Sequence, residues 1–259
     1  MKILGVIPAR YGSTRFPGKA LVSLHGRPLI QWVIEAAQKS KKLTELVVAT
    51  DDERILKAAR AMSVTAVMTD PHLPSGTDRV FAASIGHKAD IVVNIQGDEP
   101  LINPQHIDLL ISAFEKSPPP QMATLAHAIS IEELMSPNAV KVVRDHQGYA
   151  LYFSRYAIPY SRILPDEANQ LGPEFEDACL KHIGMYAYTN DFLQKFCQTK
   201  PSIIEQTESL EQLRALSMGA KIKVFKVNEA SPGVDTPEDL EKVSQIISQI
   251  ISSKNKGMK

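Results

Sequence analysis

Ile3-Leu-Gly-Val-Ile-Pro-Ala-Arg-Tyr-Gly-Ser-Thr-Arg-Phe-Pro-Gly-Lys19 runs a short apolar strand into a loop that carries Arg10, Arg15 and Lys19 and no acid. A strand ending in a glycine-rich turn aims several backbone N–H groups at one point, and the three cations add fixed positive charge there. The guest that suits this chemistry is a polyphosphate. Spacing narrows the kind of site. A Walker A loop needs four residues between its glycines and then Lys followed by Ser or Thr. Here five residues separate Gly12 from Gly18, and Ala20 follows Lys19. With no hydroxyl after the lysine to hold a magnesium ion, a metal serving this phosphate must be carried by carboxylates elsewhere. The dinucleotide fingerprint G-x-G-x-x-G is absent, which argues against a nicotinamide or flavin enzyme. The competing reading is a solvated loop with chance basic residues.

Outward from the loop, Pro28 to Ala37 reads as a helix with proline in its first turn, and Leu46 to Thr50 as a strand. Asp51-Asp52 caps a second helix running to about Ala61. Val64 to Met68 is a strand, Thr77 to about Ile85 a helix and Asp90 to Ile95 a fourth strand. Strands that alternate with helices and are apolar throughout imply an α/β fold with a mostly parallel sheet covered on both faces. A helix follows from Gln105 to about Glu115. The character then changes: Val140 to Arg144 and Tyr149 to Phe153 form a hairpin around Asp145-His-Gln-Gly, and Ile183 to Tyr188 is a further strand. The chain is expected to be one domain, 1–259, with a β-rich extension at about 122–190 that supplies a second substrate pocket and a dimer surface. Helices at about Asp191–Gln198 and Ser209–Ser217, a strand at Lys221–Val227 and a helix from Pro237 to about Ile251 complete it. The polar tail from Ser252 is expected to fray.

Composition sets bounds. In 259 residues, 29 Lys and Arg balance 29 Asp and Glu, so no broad field recruits nucleic acid or an anionic membrane, and anion binding must be local. The two cysteines, Cys179 and Cys197, fit neither a disulfide framework nor a metal spacing, which suits a reducing cytoplasm. No stretch reads as a signal peptide or a membrane span.

Gln96-Gly-Asp98-Glu-Pro stands at the carboxyl end of the fourth strand, where ligands of open α/β sheets bind. Magnesium needs only one or two carboxylates beside substrate phosphates and water. Asp98 is one candidate, and Asp235, in a turn after a strand, is the other. Asp235-Thr-Pro-Glu also reads as a helix cap, and Ser75-Gly-Thr-Asp-Arg79 reads first as a helix N-terminus. Arg155, His182, Tyr186, Glu211 and Gln212 are polar groups suited to orienting a hydroxylated acid. Each also has an ordinary structural reading, as a buried histidine or a solvated helix charge.

Eight motifs in order carry a resemblance across Ile3 to Leu240. They are Pro8 to Lys19, Ser75 to Arg79, Asn94 to Pro100, Pro137-Asn-Ala-Val-Lys-Val-Val, Tyr149-Ala-Leu-Tyr-Phe-Ser-Arg155, His182-Ile-Gly-Met-Tyr186, Leu210-Glu-Gln-Leu-Arg and Gly233-Val-Asp-Thr-Pro-Glu-Asp-Leu. Together they resemble the 3-deoxy-manno-octulosonate cytidylyltransferases (CMP-Kdo synthetases). The resemblance implies a nucleotide-diphospho-sugar transferase fold and a magnesium-dependent reaction of CTP with 3-deoxy-manno-octulosonate (Kdo) that gives CMP-Kdo and pyrophosphate for lipopolysaccharide synthesis. It also implies a cytoplasmic homodimer. By motif matching, Arg10, Ser13 and Lys19 hold the triphosphate, and Ser75 and Arg79 lie near the cytidine. Asp98 and Asp235 hold the metal, while Arg15, Gln96, Arg155, His182, Tyr186, Glu211 and Gln212 surround the sugar acid. The segment Ile163 to Glu176 is expected to border that pocket. The rival readings are a cytidylyltransferase for a sialic acid or for 8-amino-Kdo, a non-catalytic nucleotide sensor and a partner-binding protein.

Overall fold

A computed structural model describes residues 1–13, 15–160 and 177–256. The chain partitions into two compact units. The first, here the cradle unit, comprises residues 2–88, 94–105 and 231–259; the second, the hairpin unit, comprises 89–93 and 106–230 together with Met1.

In the cradle unit the strands Ile3–Ala9, Glu45–Thr50 and Thr65–Met68 lie side by side in parallel, in that order. Leu4, Val6 and Ile7 are all but sealed from solvent, as are Val47, Val48 and Ala49 on the neighbouring strand. This is the continuous burial expected of parallel strands with both faces covered. The helix Leu29–Ala37 packs a wholly buried stripe of Leu29, Ile30, Val33, Ile34 and Ala37. It begins one residue later than expected, with Pro28 as its cap. Asp52 alone caps the helix Glu53–Arg60, accepting the Arg54 N–H at 2.9 Å, which releases Asp51 for other work. Ser75 caps Gly76–Ser84.

The hairpin unit is built on the strand order Ile222–Lys226, Met122–Ala128, Leu180–Thr189, Ile91–Asn94. The first pair is parallel and the second antiparallel. Lys141–Arg144 and Ala150–Ser154 form the expected hairpin. The described part of the β-rich stretch at 122–190 falls within this unit. Segment 163–176 lies outside the described residues.

Three expectations change. The helix expected over Ser209–Ser217 begins only at Gln212, and a separate helix, Ile203–Glu208, precedes it, parted from it by Ser209 in a left-handed conformation at φ 52°. Ser202 and Glu205 close a capping box that starts the chain helical before Ser209, and a like box between Ser130 and Glu133 starts an unforeseen short helix, Ile131–Met135. The last helix, Pro237–Lys256, runs through the stretch from Ser252 expected to fray, because no Gly or Pro interrupts it before Gly257. No described helix is long and apolar enough to cross a membrane.

Candidate active site

The cradle unit holds a cavity of about 460 Å³ beyond the carboxyl ends of its strands. Arg10, Ser13, Arg15, Lys19, Ser75, Arg79, Gln96, Asp98 and Asp235 all line it, so residues 225 positions apart in sequence meet at one wall.

At its centre the Lys19 ammonium donates to Asp98 Oδ2 at 2.5 Å and to Asp235 Oδ1 at 2.9 Å. Arg15 donates to the other Asp235 oxygen at 2.9 Å. Burial works against the charge on Lys19, but Asp98 and then Asp235 outweigh it and raise its pKa above the ordinary lysine value. The loop that looked acid-free in sequence is thus neutralised from two distant turns.

Backbone geometry makes this meeting possible. Gly97 passes so close to the end of the first strand that a Cβ there would stand 2.6 Å from the Pro8 carbonyl oxygen, so only glycine brings Asp98 down to the loop. The Val234 N–H donates to the Asp98 carbonyl at 2.9 Å, tying the Asp235 turn to the Asp98 turn. The cap reading of Asp235 passes to its neighbours. Thr236 accepts the Asp239 N–H at 3.2 Å, and the Asp239 carboxylate accepts the N–H groups of Asp235 and Thr236 at 3.2 and 3.1 Å. The Asp235 side chain stays free for Lys19 and Arg15. Ser75, by contrast, does cap its helix, since its Oγ accepts the Asp78 N–H at 3.2 Å and donates to the Asp78 carboxylate at 2.8 Å, while still facing the cavity.

Two residues of this site escaped the sequence reading. Tyr11 organises the loop: its carbonyl accepts the N–H groups of Ser13 at 2.9 Å and Gly18 at 2.8 Å, and its own N–H donates to Asp51 Oδ1 at 3.0 Å. Gly18, at φ 71°, lies against the Tyr11 ring, where a Cβ would come within 2.9 Å, and the Arg54 guanidinium covers the ring at 3.7 Å from its centre. Asp51 is the second, because its other oxygen accepts from buried Arg79 at 3.3 Å while Arg79 also donates to Thr69 Oγ1 at 2.5 Å. The signal available in sequence was the doublet Asp51-Asp52, where one helix needs one cap.

Glu99, for which the sequence offered no role, stands beside Asp98 with its carboxyl Oε2 sealed from solvent. Burial, and then the Asp98 charge, push its carboxyl up to about 8, and its Oε2 has no hydrogen-bond partner among the described residues.

Arg155, His182, Tyr186, Glu211 and Gln212 belong to the hairpin unit. The Arg155 guanidinium donates to three carbonyls, those of Glu208 at 2.8 Å, Pro137 at 3.0 Å and Ser209 at 3.3 Å, which is a structural use of its fork. His182 Nε2 lies 2.9 Å from Thr124 Oγ1. That hydroxyl has one proton, and the carbonyls of Ile183 and Met185 both lie within reach of it at 3.1 and 2.9 Å, which makes the His182 Nε2–H the donor to Oγ1. The imidazole stacks edge-on to Phe153 at 5.0 Å and tilted against Tyr186 at 5.4 Å. Burial pushes His182 down to about 3, so it is neutral at physiological pH. Burial, followed by the Glu211 charge, raises the Tyr186 phenol well above its ordinary value. Gln212 is buried, and Glu211 stands at the N-cap of its helix.

No group of three or more His, Cys, Asp or Glu is gathered for a metal among the described residues. Asp98 and Asp235 nevertheless fit a magnesium ion shared with phosphates. They are two hard carboxylates already facing one common cation, the Lys19 ammonium.

A family model described as cytidylyltransferase matches residues 4–222. The 3-deoxy-manno-octulosonate cytidylyltransferase of Bdellovibrio bacteriovorus is 59% identical over 248 residues, covering 96% of this chain and 98% of that protein. The protein of the same name from Escherichia coli is 45% identical, covering 96% and 97%. Among solved structures, a CMP:2-keto-3-deoxy-manno-octonic acid synthetase complexed with CTP superposes with a TM-score of 0.88 at 44% identity, covering 96% of this chain and 99% of that one. The 4-diphosphocytidyl-2C-methyl-D-erythritol synthase of Anaerococcus prevotii shares the fold alone, at a TM-score of 0.62 and 12% identity.

Proposed function

This chain belongs to the cytidylyltransferase family, with 3-deoxy-manno-octulosonate cytidylyltransferases as full-length relatives, and from that premise we propose that it joins CTP to Kdo, giving CMP-Kdo and pyrophosphate. The observation that carries the reading is the cavity in which Lys19, Asp98 and Asp235 meet beside Arg10, Ser13 and Arg15. The anomeric hydroxyl of the sugar acid attacks the α-phosphorus. One P–O bond forms, the bond to pyrophosphate breaks, and the hydroxyl proton is lost. No side chain forms a covalent intermediate, and position and charge neutralisation do the work.

Within this reading Arg10, Ser13 and Lys19 hold the triphosphate, and Arg10 and Lys19 offset charge building on the departing pyrophosphate. Ser75 and Arg79 serve the cytidine end, and Arg15 and Gln96 the sugar acid. The sugar-acid roles of Arg155, His182, Tyr186, Glu211 and Gln212 rest on the resemblance, and for His182 the buried environment supports a neutral hydrogen-bonding part rather than a charged one. Asp98 and Asp235 would hold magnesium, which when bound supplies Lewis-acid and template chemistry between two anionic reactants.

We extend the proposal to a homodimer working in the cytoplasm and feeding lipopolysaccharide synthesis. Both cysteines are free thiols, which suits a reducing compartment. The decisive assay is pyrophosphate formation from each of the four nucleoside triphosphates with Kdo and magnesium. Turnover with CTP and Kdo is expected; turnover only with a sialic acid or 8-amino-Kdo would move the substrate, and CTP binding without product would leave a sensor. Sedimentation tests the dimer.

A further inference from the structure

The hairpin unit carries a second cavity, of about 610 Å³, where the turn around Asp145–Gly148 lies on the edge strand Ile222–Lys226. The turn is fixed to the strand: Gly148, at φ 79°, accepts the Val224 N–H at 2.8 Å, Tyr149 bridges to Lys223, and the Lys223 ammonium donates to the Gln147 carbonyl. Among the described residues, Lys116, Arg144, His146, Lys223 and Lys226 line the cavity against two acids, Asp145 and Asp177.

Both acids have other work. Asp145 accepts the N–H groups of Gln147 and Tyr149 within its own turn, at 2.9 and 2.8 Å. Asp177 pairs with Lys226 at 2.7 Å. Lys116, Arg144 and Lys223 therefore stand together with less opposing charge than they carry. The crowding registers on Lys223, whose pKa is lowered by burial and then by the like charge of Lys116; Asp145 pulls the other way, and Arg144 adds a smaller push in the same direction as Lys116. The chain as a whole is neutral, so this surplus is local. Lysines on an edge strand do guard it against pairing with other chains. That function accounts for residues of the strand itself; it does not account for Arg144 from the hairpin or Lys116 from the segment after the 104–115 helical stretch.

We propose that this cavity binds a phosphate-rich anion of the size of pyrophosphate or triphosphate, with the Arg144 guanidinium as a bidentate donor and Lys116 and Lys223 as point charges. The cavity shares no lining residue with the cradle, and the proposal stands whether or not the reading of the cradle does.

The test uses the full chain carrying Lys19→Ala, to weaken the cradle, and titrates it calorimetrically with inorganic pyrophosphate, binding at the second cavity being the part lost in the variants below. Saturable binding that weakens steeply with salt is expected, and adding Arg144→Gln with Lys223→Gln is expected to weaken it at least tenfold. Because Lys223 also holds the turn, Lys116→Glu serves as an independent variant on an exposed side chain, with a severalfold loss expected. Absence of binding in the Lys19→Ala chain, or equal affinity in the Lys116→Glu chain, overturns the proposal. So does a change in sedimentation without a change in anion affinity, which would make these cations a contact for a second copy.

Discussion

The polar residues singled out in the two units are handled in opposite ways. In the cradle unit they pair with one another at the wall of a cavity: Lys19 is 17% exposed, Asp98 28%, Asp235 45% and Arg15 68%. In the hairpin unit His182 and Arg155 are instead engaged by the fold, with His182 donating to Thr124 between two aromatic rings and Arg155 donating to three carbonyls. The first arrangement is poised to exchange partners, because each charge can trade a protein counter-ion for a phosphate or a metal. The second is a fixed scaffold whose groups hydrogen-bond in one way only.

The contrast can be broken most sharply at Asp98. Asp98→Asn is expected to lower turnover by about 10³-fold or more while leaving the melting temperature near that of the parent, because the carboxylate that pairs with Lys19, and that we propose holds the metal, is lost. Pyrophosphate release across a magnesium titration checks it, and near-normal turnover at limiting magnesium would dissolve the cradle as described. Lys19→Ala comes next, with an expected loss of about 10²–10³-fold in kcat from the removal of one preorganised charge; an unchanged single-turnover rate constant takes Lys19 out of the chemistry.

Asp51→Ala sharpens the comparison from behind the site. It leaves the Tyr11 N–H and the buried Arg79 guanidinium without their carboxylate, and about 3 kcal/mol of stability is expected to go, read by urea unfolding. Loss of less than about 0.5 kcal/mol would make Asp51 a bystander.

At neutral pH the smallest effect belongs to the scaffold, and it grows only in acid. The folded chain holds His182 at about 3 against an ordinary 6.5, so between those values the unfolded chain binds a proton that the folded chain refuses. The stability from this residue is complete above about pH 6.5 and falls as the pH drops towards 3, with a slope of up to about 1.4 kcal/mol per pH unit. His182→Gln keeps the donor to Thr124 and removes the titration, so its stability should flatten over that window; an unaltered slope would mean that His182 titrates freely.

Local rules made much of this legible. The alternation of apolar runs with capped helices produced the α/β reading, because burial on both faces leaves its mark on every residue of a strand. The cationic loop at the end of the first strand was readable from its glycines, arginines and lysine. Less readable were features set by partners far along the chain. Asp51 looked like a cap because Asp52, beside it, was one, and nothing local says which of two adjacent carboxylates turns away to meet Tyr11 and Arg79. The helix Ile203–Glu208 was missed although the Ser202–Glu205 box announced it, since a polar helix of six residues has too few apolar positions to show a period.

Sequence by itself determined the strand-to-loop cradle, the carboxylates at the ends of chain segments and the family signature, because short-range sterics, periodicity and residue chemistry act within a few neighbours. Only the tertiary structure decided that Asp98 and Asp235 share the Lys19 ammonium, that Thr236 and Asp239 relieve Asp235 of capping, and that His182 is neutral. Those outcomes depend on close backbone approach and on exclusion of water, which are properties of the packed chain and are carried by no single stretch of it.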